Sequence, residues 1–262
     1  MTLILPQLTN RFIPPNEAVA LWDTITPNSG STTELIASTP DPVSSPEITI
    51  PFAGTASFWL KRESTVANTI FNSWQQSSDQ RGLNISLFGS NQLQLTIANN
   101  DNIYAAFTGA LNSFTTWTHV LTSWNWFTSS FTWKVTINDT PAFSESRFNS
   151  GSRDTFYRGY FNVNGHRDAP ATGYNSLSLY DVAFFDSVYD VYDINIRRKF
   201  IDASGNPVNL GSRGQRPFGS PPRLFFSGNF TSWRKNKGSL ASLSVLVAGV
   251  PVNFTKSPTK PA

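Results

Sequence analysis

Between Ile48 and Asp186 the chain consists of short runs in which apolar residues recur at every second position, and this period most limits what it can fold into. A helix buries residues three and four apart, so these runs can each cover one face only as strands. Leu93-Gln-Leu-Thr-Ile97 and Trp133-Lys-Val-Thr-Ile137 show the pattern plainly, with one face predicted buried and the other wet or sparsely covered. Clusters of Gly, Asn, Asp and Ser separate the runs at the intervals of an antiparallel sandwich. The predicted strands are Ile48–Phe52, Ala56–Lys61, Asn68–Trp74, Leu83–Phe88, Gln92–Ile97, Ile103–Phe107, Trp117–Trp124, Phe131–Ile137, Thr155–Val163 and Ser176–Phe185.

The flanking segments read differently. Residues 1–46 carry Pro14, Pro15, Pro27, Pro40, Pro42 and Pro46, which break any helix or long strand. They form an extended arm with short strands near Ala18–Trp22 and Glu34–Ala37, packed on its own sandwich or handed to a neighbour. One helix is predicted over Asp190–Ile201, where Val191, Ile194, Arg198 and Ile201 fall at helical spacing, acids lead and bases trail. Gly205 and Pro207 end it. Residues 204–262 form a turn-rich extension packing on the sandwich, with a short strand at Arg223–Ser227, an apolar alternation over Leu240–Val247 and a tail expected to be mobile. The expected architecture is an all-β antiparallel jelly-roll sandwich over residues 47–203, with one short helix and extended terminal arms.

Composition narrows the function. Charged residues are 14% of 262, against roughly 25% in an average globular protein, while there are 21 Phe and 8 Trp. A large core without staples is affordable at this length, and coiled coils, charged disordered tails and most soluble cytosolic helical enzymes are excluded. The absence of Cys excludes a disulfide framework, a thiolate metal cluster and a cysteine nucleophile, and leaves the redox compartment open. The formal charge of +3 argues only weakly for anionic partners. Arg197, Arg198 and Lys199 on the predicted helix, and Arg234, Lys235 and Lys237 in a loop, are expected to be solvated faces, so no direct nucleic-acid partner is expected. No run approaches the roughly 20 apolar residues that span a bilayer, and no membrane partner is expected. Met1-Thr-Leu-Ile-Leu-Pro6 lacks a basic n-region and a cleavage site, so export is expected through lysis or a dedicated machine unless the sequence is a mature form.

Ser57-Phe-Trp-Leu-Lys61, Asn84-Ile-Ser-Leu-Phe88, Thr116-Trp-Thr-His-Val-Leu-Thr-Ser-Trp124 and Trp133-Lys-Val-Thr-Ile-Asn-Asp-Thr140 together resemble the laminin-G-like and concanavalin-A-like jelly rolls. In that family the Trp-x-His-Val strand is followed by one ending at an Asn-Gly or Asp-Gly turn; here the turn reads Asn138-Asp139. Leu177–Phe185 and the helix after it are similar to the family's closing strand and helix, so the likeness covers about residues 48–202. The stretch Arg198–Gly211, with Leu224–Gly228 and Asn236–Gly238, resembles the C-terminal half of laminin-G-like structural proteins of tailed bacteriophages. That resemblance implies a virion component, decorating or joining capsid or tail, with other virion proteins as partners and a homo-oligomeric state. The scaffold also serves lectins, so an adhesin module that binds a host-surface glycan is the alternative, and a glycosidase a third reading.

The residues bear unequally on these readings. Glycosidases of this fold use alternating carboxylates on one strand, whereas Glu17, Glu34, Glu47, Glu63 and Glu145 are far apart in sequence. Asp181 and Asp186, five apart on a strand, face opposite sides. No catalytic residue, and no enzyme, is expected. His119 is read as a hydrogen-bonded framework residue, and Asn99–Asn102 and Asp79 as turn formers instead of calcium ligands, so neither metal nor cofactor is expected. A sugar needs a flat apolar face flanked by planar polar groups. Trp124 and Trp126, two apart in an extended segment, project to one side, which is either core or an exposed platform. His166 and Arg167 stand in a polar loop that could meet them at one edge of the sandwich. These four are the candidate ligand-binding residues.

Overall fold

The structure is a computed structural model that describes residues 23–26, 34–38, 48–62, 68–72, 82–99, 102–111, 114–127, 130–148, 156–159, 161–163, 177–227, 236–240, 244–248 and 253–256. In chain order the strands are β1 (Asp23–Thr26), β2 (Glu34–Ser38), β3 (Ile48–Pro51), β4 (Ala53–Arg62), β5 (Asn68–Asn72), β6 (Gly82–Leu87), β7 (Leu93–Asn99), β8 (Asn102–Phe107) and β9 (Thr118–Phe127). They continue as β10 (Ser130–Ile137), β11 (Thr140–Phe148), β12 (Phe156–Gly159), β13 (Phe161–Val163) and β14 (Leu177–Phe185). The helix α1 (Ile194–Arg197) precedes β15 (Leu224–Phe226), β16 (Ser244–Ala248) and β17 (Asn253–Lys256).

Every strand pairing is antiparallel, and the strands form an all-β jelly-roll sandwich. One sheet runs β11-β10-β9-β4-β14-β1-β17, with β15 also on β14; the other runs β16-β2-β13-β5-β6-β7-β8; β12 and β3 form a separate pair. The core lies between the two large sheets, where Phe58, Leu60, Val120, Trp124, Trp133 and Phe184 meet Leu83, Ile85, Leu95 and Ile97. Burying such side chains is worth roughly 1.5–3 kcal/mol each before ordering costs.

The middle of the larger sheet, where β9, β4 and β14 run, is buried on both sides. Its outer face carries Leu121, Ala183, Phe185 and Phe225, and onto these pack Val191, Phe200, Leu210 and Phe218 from the segment after β14. Thr55 on that face is satisfied beneath the layer: its Oγ1 donates to the Ser187 carbonyl at 2.9 Å and accepts from Tyr189 N at 3.0 Å. The same strands therefore show one apolar and one small-polar face in sequence, yet neither is wet.

A β-bulge in β14 makes this double burial possible. The register with β4 shifts between Tyr180 and Ala183, and Asp181 adopts φ +46°. One extra residue resets the alternation, so Leu179, Val182 and Phe184 all point into the inter-sheet core while Ala183 and Phe185 face the outer layer.

Several expectations need correction. The helix is confined to Ile194–Arg197, with turns before and after, because the buried contacts of Val191, Phe200 and Ile201 are made outside its single turn. Strand Thr155–Val163 is two strands in two different sheets, and β11 was not anticipated. Arg197 is not a solvated residue. It is buried, with Nε donating to Asp139 at 2.9 Å and Nη1 to the Tyr192 carbonyl. The Asn138-Asp139 turn works without glycine: φ is +44° and +67°, the left-handed pair a two-residue hairpin requires. The strand expected at Ala18–Trp22 and the tail beyond residue 256 lie outside the described residues.

Candidate functional site

With the middle of the larger sheet sealed by its layer, a sheet surface that no described segment covers lies on the outer face of β6, β7 and β8. The alternation that sends Leu83, Ile85, Leu87, Leu93, Leu95, Ile97 and Ala106 inward sends Asn84, Ser86, Gln94, Thr96, Ala105 and Phe107 outward. Strand register arranges them in two rows: Asn84 opposite Thr96 and Thr96 opposite Ala105, then Ser86 opposite Gln94 and Gln94 opposite Phe107. The first row continues in backbone register through Asn72 and Asn162. Ser86 Oγ donates to Asn84 Oδ1 at 2.7 Å, which orients the amide. All six side chains named are uncharged.

Phe107 is 47% exposed, the most exposed large hydrophobic residue described. It lies edge-on to Phe88 with ring centroids 5.7 Å apart. That end of the face is held from beneath. Arg62, buried at the end of β4, donates from Nη1 to the Phe88 carbonyl at 2.8 Å and to Asn91 Oδ1 at 3.1 Å, tying the β6–β7 turn to the opposite sheet. Asn91 takes φ +56° there. Gln92 Nε2 donates to the Thr108 carbonyl, and Thr108 Oγ1 accepts from Leu93 N. The face thus offers an apolar ring, two amides and the Thr96 hydroxyl, with the buried Ser86 orienting Asn84, which suits an uncharged polyhydroxylated ligand better than an ion.

The sequence candidates lie elsewhere. Trp124 and Trp126 do share one side, as their spacing requires, but that side is the core, where their exposures are 0% and 1%. Trp124 packs on Phe184 with centroids 5.6 Å apart and Trp126 on Phe52 at the same distance. Gly54 leaves the room: a Cβ there would stand 2.7 Å from the Phe185 carbonyl oxygen and 3.2 Å from the Trp124 ring. The platform reading of the pair is overturned. His166 and Arg167 lie outside the described residues. The signal that could have marked this face is Phe107, an aromatic in register with the polar positions Ser86 and Gln94.

Two sealed polar groups lie beneath the outer layer of the other sheet. His119 is 1% exposed, its Nε2 is 3.0 Å from Ser57 Oγ, and Trp59 and Phe200 flank its ring. Burial holds its pKa down to about 3, so it is neutral and serves as framework. Asp181 is 6% exposed at the bulge, and burial pushes its carboxyl up to about 7 despite the nearby Lys237 ammonium. It lines a cavity of about 10 Å³ beside Asn209 and Gly211. Asp186, by contrast, is exposed and pairs with Arg223 at 2.9 Å. Among the described residues no three His, Cys, Asp or Glu side chains gather as a metal site.

No protein-family profile and no curated protein sequence matches the chain significantly. Solved structures do share its fold. A SAP-like pentraxin of Limulus polyphemus, crystallised as a native heptamer, superposes with a TM-score of 0.53 at 14% identity, over 91% of this chain and 96% of its own. A Bacteroides ovatus protein provisionally described as carbohydrate-binding superposes with a TM-score of 0.55 at 10% identity, over 93% of this chain and 62% of its own. At these identities the likeness establishes the fold, a concanavalin-like jelly-roll sandwich.

Proposed function

We propose that the protein is a non-catalytic carbohydrate-recognition module that binds a neutral glycan on the outer face of β6, β7 and β8. The observation that carries this reading is the exposed Phe107 ring set in register with Gln94 and Ser86, on a face without charge among the described residues. A pyranose can lay its C–H surface on the ring while paired hydroxyls meet the amides of Asn84 and Gln94. The carbohydrate-binding description of the B. ovatus protein of like fold agrees with it. Absence of catalysis is part of the proposal: the Ser57–His119 pair and Asp181 are sealed from substrate, and none of the six side chains on the face can act as an acid or base at neutral pH.

The setting proposed is a virion, where such a module would attach a particle to a surface sugar. This second element rests on the resemblance of residues 198–211, 224–228 and 236–238 to tailed-phage structural proteins. Much of that stretch belongs to the layer that seals the larger sheet and leaves the smaller one to carry ligand. A glycan array probed with the purified chain tests the binding. Neutral oligosaccharides should be retained, and Phe107→Ala should weaken binding at least tenfold with an unchanged melting temperature. Binding only to acidic glycans, or undiminished in Phe107→Ala, would contradict the assignment.

A further inference from the structure

The two large sheets end very differently. On the larger, β11 is protected as natural edge strands are: it contains Pro141, Glu145 and Arg147, and its register with β10 shifts between Val135 and Thr136. On the smaller, β8 reads Asn-Ile-Tyr-Ala-Ala-Phe, with no charge and no proline, and pairs with β7 over six residues without a shift. Among the described residues no strand lies on its other side.

Antiparallel geometry says which backbone groups are left over. Thr108 N donates to the Leu93 carbonyl, so the pairs at every second residue from there, Ala106 with Leu95 and Tyr104 with Ile97, are the hydrogen-bonded ones. The N–H and C=O groups of Ile103, Ala105 and Phe107 therefore point away from β7. Three donors and three acceptors at alternate positions are a template for one further antiparallel strand.

We infer that β8 pairs with β8 of a second copy of this chain about a twofold axis at Ala105. Ala105 then lies opposite its own copy and Ile103 opposite Phe107, exchanging six main-chain hydrogen bonds in an isologous contact. The strand is suited to itself: being uncharged it meets its copy without repulsion, and Ala105, exposed on the outer face, lets the two backbones approach. Pairing joins the two seven-stranded sheets into one. If the glycan reading is right, the Asn84–Thr96–Ala105 row runs through the axis into its copy, making a single bivalent face. The dimer itself does not depend on that reading.

Sedimentation equilibrium of the full chain tests the pairing directly. The wild type should show a concentration-dependent species of twice the 29.0 kDa chain mass. Ala105→Pro removes only an outward N–H, which edge strands tolerate, and should be monomeric with an unchanged far-ultraviolet spectrum. Ala105→Lys, which places like charges across the axis, should also be monomeric. A wild type that stays monomeric at high concentration, or both folded variants dimerising as the wild type does, would overturn the inference. A wild type that dimerises and whose sugar binding is lost in Phe107→Ala upholds both proposals; a wild type that dimerises with no sugar bound by any form refutes the glycan reading alone.

Discussion

His119 Nε2 lies 3.0 Å from the hydroxyl of Ser57, a contact sealed between the larger sheet and its covering layer, in a place where an imidazolium would have no anion to meet. The ring's neutrality is therefore built into the fold. With a folded pKa of about 3 against 6.5 in the open chain, its contribution is complete above pH 6.5. It is lost as pH falls, because the unfolded chain binds a proton that the folded one refuses.

Asp181 acts in the opposite direction. Its folded pKa of about 7 exceeds the ordinary 3.8, so its contribution is complete below pH 3.8 and is lost as pH rises through 7. Between pH 5 and 6.5 the two slopes oppose each other, each about 2 kcal/mol over the interval at about 1.4 kcal/mol per pH unit. Urea midpoints of the wild type should be nearly flat across this window. His119→Gln should grow more stable towards pH 5, and Asp181→Asn less stable. Parallel profiles in all three proteins would refute the assignment of both groups.

Trp124 and Trp126 should behave as core. Replacing either by Ala should cost roughly 3–5 kcal/mol and lower the melting temperature by many degrees. The outward Gln94→Ala should stay within about 0.5 kcal/mol of the wild type. A tryptophan variant that melts like the wild type while losing a ligand would restore the exposed-platform reading.

These tryptophans show where the sequence was legible and where it was not. The period of two placed them on one side, but the same period serves a core and an exposed platform, and only the partner sheet decides. The alternation of Leu93–Ile97 gave β7 its inner face correctly, since nothing described covers the polar positions there. In β4 and β9 small polar residues such as Thr55, Ser57 and Ser123 look wet in sequence, yet a layer from residues beyond 186 buries them. Strand β11 escaped notice because Pro141 stands second in it and, among its described side chains, only Phe143 packs against the core. The bulge at Asp181 has no local signature, because its cause is the need to keep both Val182 and Phe184 facing inward.

The Asn138-Asp139 turn carries a further expectation. Asp139 holds Arg197 at 2.9 Å and Arg198 at 2.7 Å, docking the helical turn onto the β10–β11 hairpin. Asp139→Asn keeps the left-handed turn but leaves the buried Arg197 without its anion, and should cost roughly 2 kcal/mol. Arg198→Ala touches the more exposed arm of the pair and should cost at most about 0.5 kcal/mol. Equal losses in urea unfolding would show that the Arg197 contact contributes nothing special.

Sugar binding on the outer face of β6, β7 and β8, proposed above, is open to direct mapping. Backbone amide shifts of isotope-labelled protein, titrated with a neutral oligosaccharide retained on the array, map the contact residue by residue. The largest saturable shifts are expected at Asn84, Ser86, Gln94, Thr96 and Phe107, with Trp124, Trp126 and His119 unmoved. Shifts centred on the loop containing His166 and Arg167, with the β6–β8 amides unchanged, would contradict it.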